Sequence, residues 1–253
     1  MNSKEVLIFD IQSEYGHFRK YNTTTSPLTY SIPTRTAIAG ILGAILGIER
    51  ELHDGVFPEG VTPVQEFFSK DRSDIAVQIM HPVKKENIGF NLINTKNFSS
   101  YFDLTSSAHT QIEFELVKDV HYRIYLAMEN KPKFEELSER IIYKRHHFTP
   151  YLGLAQFTTL VDFVQKATAQ HVHGNGDFIK IITAVNMSKL QGEPPVEFQR
   201  EFFYSANNMP NAMNRDREVL EYSEVLIEKN GNPLKVKLSD YYTIEGVGNI
   251  LFL

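Results

Sequence analysis

The densest run of chemistry-bearing side chains is Lys144-Arg145-His146-His147. Histidine and lysine together can act as general base, general acid and phosphate stabiliser, the groups a metal-independent RNA cleavage needs. Adjacent residues on a helix point in different directions, so His146 and His147 cannot both face one scissile bond. A basic helix C-terminus, favoured by the helix dipole, is the simpler reading. A second pair, His171-x-His173, is followed by Asp177. On a strand both rings of such a pair lie on one face, as metal ligands should. No cysteine or dense acid cluster completes the set in sequence. His173-Gly174-Asn175-Gly176 therefore reads as a polar glycine loop, and no metal or other cofactor is expected.

The cations nearer the N-terminus suggest different chemistry. His17, Arg19, Lys20 and Tyr30 lie in or near the polar loop Gln12–Tyr30. Basic groups that reach phosphates, mixed with planes on which bases stack, suit single-stranded RNA. Phe18, among them, reads as core. Arg35 follows in what should be the first turn of a helix, with Ser31 and Thr34 as possible caps. Free N–H groups and the positive dipole end make such a turn an anion site, and a guanidinium adds a fork for phosphate. Taken alone, Arg35 reads first as a surface salt bridge, and that turn should tolerate glutamate. A long polar connection, Lys84 to Thr110, carries Lys84, Lys85, Lys96 and Asn97. Connections of this length are often functional. Its aromatics, Phe98, Tyr101 and Phe102, are either core anchors or wedges between bases.

These groups need a frame. Val6 to Ile11 is apolar without alternation, the pattern of a strand buried on both faces. Pro33 opens a helix whose stripe is Ile38, Ile41, Leu42, Ile45 and Leu46. Gly40, Gly43 and Gly47 lie beside it; each interior glycine costs about 1 kcal/mol against alanine, so close packing, with a sheet as partner, is expected. Val64–Phe68 reads as a short helix and Ile75–Val83 as a strand. Gln111–Leu116 alternates, breaks at Lys118-Asp119, and resumes as a strand through Tyr122, Ile124 and Leu126. Pro132 opens a second helix with Phe134, Leu137 and Ile141 inward. Leu160–Val164 supplies a further strand. The order strand, helix, strand, strand, helix, strand is the ferredoxin-like (RRM-like) pattern. Beyond residue 165 short apolar runs alternate with polar turns, and Asn230-Gly231 signals a hairpin. The expected class is α+β. Residues 1–165 form a ferredoxin-like domain with a long β-hairpin thumb at about 79–115, and 166–253 a smaller β-rich part.

The 253 residues carry a net charge of -5, which argues against a protein that binds nucleic acid alone. It suits a subunit whose RNA contact is small and whose other faces meet protein. The absence of cysteine fits a reducing cytoplasm. No signal peptide is read at the N-terminus, and the longest apolar stretch, Ala37 to Ile48, is too short to span a bilayer.

Phe9-Asp10-Ile11, Tyr15-Gly16-His17-Phe18-Arg19-Lys20, Ser26-Pro27-Leu28-Thr29-Tyr30 and the run from Ile32 to Gly47 resemble the opening of the Cas-five family of CRISPR-associated proteins. Tyr122-Arg123-Ile124-Tyr125 and Pro150-Tyr151-Leu152-Gly153-Leu154 are similar to later family signatures. The C-terminal likeness rests on Asn230-Gly231-Asn232-Pro233 and Tyr241-Tyr242, and the overall pattern resembles the subtype I-B branch best. The resemblance implies a RAMP-superfamily subunit of a type I Cascade complex that is not an enzyme. Such a subunit caps the 5′ handle of the crRNA, contacts the backbone and large subunits, and meets target DNA only indirectly, away from any membrane. With it, Arg35 reads as a phosphate contact. The residues expected at RNA are His17, Arg19, Lys20, Tyr30, Thr34, Arg35, Lys84, Lys85, Lys96 and Asn97. A metal-independent endoribonuclease acting on CRISPR repeat RNA is the alternative.

Overall fold

The computed structural model describes residues 3–20, 26–49, 60–93 and 109–253. It is mostly β-sheet with few helices. Strand β1, Ser3–Gly16, sits in the middle of the largest sheet, and Val6 to Ile11 are all buried. Its alternate residues feed two cores. Leu7, Phe9 and Ile11 pack toward the helices, while Val6 and Ile8 pack toward Ile244, Ile250 and Phe252 at the C-terminal end. A strand covered on both sides explains the unbroken apolar run.

Helix α1 is Arg35–Leu46. Thr34 caps it by accepting from the Ala37 N–H, and Gly47 ends it at a φ of 74°. Short α2 is Val64–Phe67. The glycines do not face a sheet as expected: Gly40 is exposed, and a Cβ on Gly43 would collide with the Val64 side chain. A Cβ on Gly47 would meet the His147 ring.

Strand β2 is Ser73–Ile79, β3 is Lys84–Ile93 and β4 is His109–Met128. β4 is continuous through Lys118-Asp119, where the sequence suggested a break. The site marks a change of partner: residues 109–118 pair with β3, and 122–128 pair with β2. Asp119 takes a φ of 51° at the handover. Helix α3, Lys131–Ile142, is capped by Asn130 and buries Phe134, Leu137 and Ile141. Strand β5, Leu160–His173, returns beside β1.

The remaining strands are β6 Ile179–Ile181, β7 Val185–Asn186, β8 Tyr204–Met213, β9 Val219–Glu228, β10 Leu234–Val236, β11 Asp240–Ile244 and β12 Gly248–Ile250. The large sheet runs β12-β11-β5-β1-β4-β2, with β3 also on β4. The division drawn at 165/166 thus falls inside β5, and two C-terminal strands extend the N-terminal sheet. β7, β9 and β8 form a second sheet, and β10 pairs with β6. Asn230-Gly231 is a turn but not a hairpin, because β9 and β10 pair with other strands. The Glu228 carboxylate fixes that turn, accepting from the N–H groups of Asn230 and Asn232 at 3.0 and 2.8 Å. Among the described residues, no helix is long and apolar enough to cross a membrane.

Candidate nucleic-acid interface

Between β1 and α1 the chain runs out and back as two paired arms. Tyr30 N–H donates to the Phe18 carbonyl at 2.7 Å, and Lys20 N–H to that of Leu28 at 2.9 Å. Arg19 lies opposite Thr29 in an isolated antiparallel bridge, and the Thr29 hydroxyl accepts from Phe18 N–H at 2.8 Å. His17 anchors the base of the arms. Its N–H donates to Leu152 at 3.0 Å, and its Nδ1–H to the Glu115 carbonyl at 2.9 Å. The ring stands edge-on to Phe114. Burial, with a smaller push from the Arg19 charge, holds its pKa below the usual histidine value.

Strands β3 and β4 grip these arms from one side. Lys85 Nζ donates to the Thr29 carbonyl at 2.7 Å and to Glu115 Oε1 at 2.5 Å. Glu115 N–H donates to Pro27 at 3.1 Å. β8 meets them from another. Lys20 Nζ donates to Asn207 Oδ1 at 2.8 Å and lies 5.7 Å from the Tyr30 ring centre. The Tyr30 hydroxyl donates to the Asn208 carbonyl at 2.8 Å. Three segments far apart in sequence therefore bring Lys20 and Lys85 into one seam, with exposed Arg19 on the arm that also bears Lys20. Burial pushes the Lys85 ammonium down; Glu115 opposes this, while the Lys20 and Lys229 charges reinforce it. Lys229 is the cation that sequence reading missed. It follows β9, and its carbonyl accepts from Val83 N–H at 2.8 Å, which brings it beside β3. Like charges held this close gain from a phosphate placed among them.

The other expected residues are placed differently. Lys84 and Lys85 are neighbours on a strand and point to opposite faces. Lys84 pairs with Asp119 at 3.0 Å and lines a cleft of about 630 Å³ with Gln12, Ser13, His81 and Thr158. Arg35 corrects the picture of an outward fork. It is 4% exposed, and its guanidinium donates to the carbonyls of Phe68 and Ser73 at 2.8 and 2.7 Å and to the Ser73 hydroxyl at 2.9 Å. Desolvation lowers its pKa to about 10. The segment from α2 into β2 covers the first turn of α1 and takes the cation for itself. Thr34 is spent as the cap. His17, Phe18 and Tyr30 are buried, so the expected stacking planes serve as the footing of the arms. Lys96 and Asn97, with Phe98, Tyr101 and Phe102, lie outside the described residues.

The enzyme-like run packs against the end of α1. Helix α3 ends at Ile142, so Lys144–His147 follows the helix rather than ending it. His147 N–H donates to Ile45 at 3.2 Å and Phe148 N–H to Ala44 at 2.9 Å, clamping the end of α1. Lys144 Nζ pairs with Asp162 at 2.7 Å. Burial, helped by the Lys144 charge, lowers the His146 pKa. Asp177 bonds to Asn175, and the carboxylate beside His171 and His173 is Asp240 instead. The sequence showed no ligand completing that pair because Asp240 arrives from another strand.

An α+β protein is thus defined, built on a β5-β1-β4-β2 sheet with a basic seam at one edge of its N-terminal loop. Its fold is shared by a chain of a solved "CRISPR RNA-guided surveillance complex": 10% identity, TM-score 0.55, covering 92% of this chain and 91% of that one. A CRISPR protein from Archaeoglobus fulgidus aligns over 97% of both chains at 9% identity and a TM-score of 0.49. No curated protein matches the sequence. The family model described as CRISPR-associated protein (Cas_Cas5) matches residues 6–219, and the chain belongs to that family.

Proposed function

We propose that this chain is a non-catalytic subunit of a type I CRISPR Cascade complex that holds the 5′ handle of the crRNA and contacts the backbone and large subunits. The single observation that carries this reading is the seam: Lys20, Lys85 and Lys229 gathered beside one loop, which also bears exposed Arg19, on a chain whose net charge is -5. A locally basic patch on an acidic protein suits a short RNA contact inside an assembly. We read the order β1, α1, β2, β4, α3, β5 as ferredoxin-like, and β3 with the first half of β4 as the thumb. Family membership supports the reading without fixing the role, since one fold hosts many functions. Arg19, Lys20 and Lys85 are the RNA contacts, Lys84 reaches a second stretch from the cleft, and His17, Tyr30, Thr34 and Arg35 hold the frame. Cytoplasmic location and indirect contact with target DNA belong to the same proposal.

The test is reconstitution with the other subunits and guide RNA. Wild type should retain guide, and Arg19→Glu combined with Lys20→Glu should lose it while remaining folded. Cleavage of labelled repeat RNA by the purified chain would replace this reading with the endoribonuclease.

A further inference from the structure

Among the described residues, His171, His173 and Asp240 form a group with metal-ligand chemistry, and the seam uses none of them. His171 and His173 are two residues apart on β5, so they share a face. Asp240 opens β11, and the strand register sets it opposite His173, with Tyr242 opposite His171. Asp240 Oδ1 lies 2.7 Å from His173 Nδ1 and 3.1 Å from His171 Nε2. One ligand atom from each residue lies within 4.8 Å of the other two. Donors around a tetrahedral ion with bonds of about 2.0–2.1 Å are themselves about 3.3 Å apart. The two contacts to Asp240 open slightly to reach that spacing, and the pair of imidazole nitrogens, within 4.8 Å of each other, closes by ring rotation.

The surroundings favour the same geometry. The two imidazoles are edge-to-face, with centroids 4.7 Å apart, so they turn different edges toward one carboxylate oxygen. Tyr242 packs edge-on against His171 at 5.3 Å and fixes that ring. The His173 side chain is 83% exposed, which leaves a path for an ion and room for water at a fourth position.

We propose that His171, His173 and Asp240 bind one divalent first-row transition ion of the zinc, cobalt and nickel type. Two imidazoles with a single carboxylate suit these ions, whereas magnesium and calcium prefer all-oxygen sites. The ion bridges β5 and β11 and so reinforces the pairing by which the C-terminal strands join the large sheet. Its role is that of a clasp on the fold and is independent of how RNA is held.

The experiment is equilibrium dialysis of the full chain against Zn2+, with metal counted per protein, and a parallel Co2+ titration followed by visible absorption. Wild type should take up one equivalent, show the intense bands of four-coordinate Co2+, and unfold at a higher temperature with Zn2+ than with chelator. His173→Ala and Asp240→Asn should each weaken binding about tenfold or more and abolish the thermal shift. His173 is exposed, so its variant should keep the wild-type circular dichroism. His81→Ala, at the separate His81–His121 pair, should bind as wild type does. No saturable uptake at millimolar Zn2+, uptake unchanged in both site variants, or displacement of Zn2+ by equimolar Mg2+ would overturn the proposal.

Discussion

Arg35 and Lys85 both donate hydrogen bonds to backbone carbonyls, yet they belong to different parts of the account. Arg35 is 4% exposed and bonds to Phe68 and Ser73, on the covering segment from α2 into β2. The Lys85 side chain is 29% exposed, its carbonyl partner is Thr29 on the loop between β1 and α1, and Lys20 and Lys229 repel it. One cation closes the fold, and the other sits in a patch that still gains from an anion. A helix N-terminus is an anion site only where nothing else has taken its place. Here Thr34 caps the turn, and the α2–β2 segment covers it.

Removing each cation should separate the two regions, and the largest effect falls on Arg35. Arg35→Ala deletes three hydrogen bonds from a buried charged group and leaves the Phe68 carbonyl with only the Ser73 hydroxyl as a side-chain donor. It should cost about 3 kcal/mol in denaturant unfolding, while the molecules that remain folded take up guide normally. Arg35→Glu should do worse, since a buried carboxylate would face the carbonyls of Phe68 and Ser73. A mutant with wild-type stability and poor guide uptake would place Arg35 on the RNA side after all.

Charge reversal at the seam should give the opposite pattern. Arg19→Glu with Lys20→Glu should lower guide affinity about tenfold or more and flatten the log–log salt dependence by about 1.4, the value for two phosphate contacts on a single strand. The unfolding midpoint should stay closer to wild type than that of Arg35→Ala, because a single part-buried hydrogen bond, Lys20–Asn207, is lost. Thr34→Ala should sit between the two, costing about 1 kcal/mol of stability through the lost cap and leaving guide binding unchanged.

The smallest expected effect is on pH. His17 has a folded pKa below its ordinary 6.5 because burial disfavours the charged ring. The unfolded chain then binds the proton more readily, so this contribution is complete above 6.5 and is lost as pH falls through the folded value. Unfolding free energy should decline as pH falls below 6.5, and His17→Gln should flatten the decline. His146→Ala and His147→Ala should leave guide maturation intact; a block in either would return the ribonuclease to consideration.

What was legible in the sequence follows the same division. The unbroken run of β1 and the stripes of α1 and α3 are local patterns, and each lies where its period put it. Lys118-Asp119 looked like an end because a strand that changes partner carries the polar residues of a turn. β8, with the sequence YSANNMPNAM, shows no alternation, and packing against α1 and β9 makes it a strand. The loop cations were legible because they are contiguous. Lys229 and Asp240 were not, because each joins its group through pairings dozens of residues away. Arg35 was misjudged because nothing near it in sequence announces that Phe68 and Ser73 will cover it.

The central claim is that RNA lies on the loop–strand seam and not on the first turn of α1. Photo-crosslinking of a guide with a reactive 5′ terminus, in the reconstituted complex, tests this most directly. The account predicts adducts on peptides containing Arg19–Lys20 and Lys85. Adducts on the α1 N-terminal peptide or on the β8–β9 sheet, with none at the seam, would contradict it.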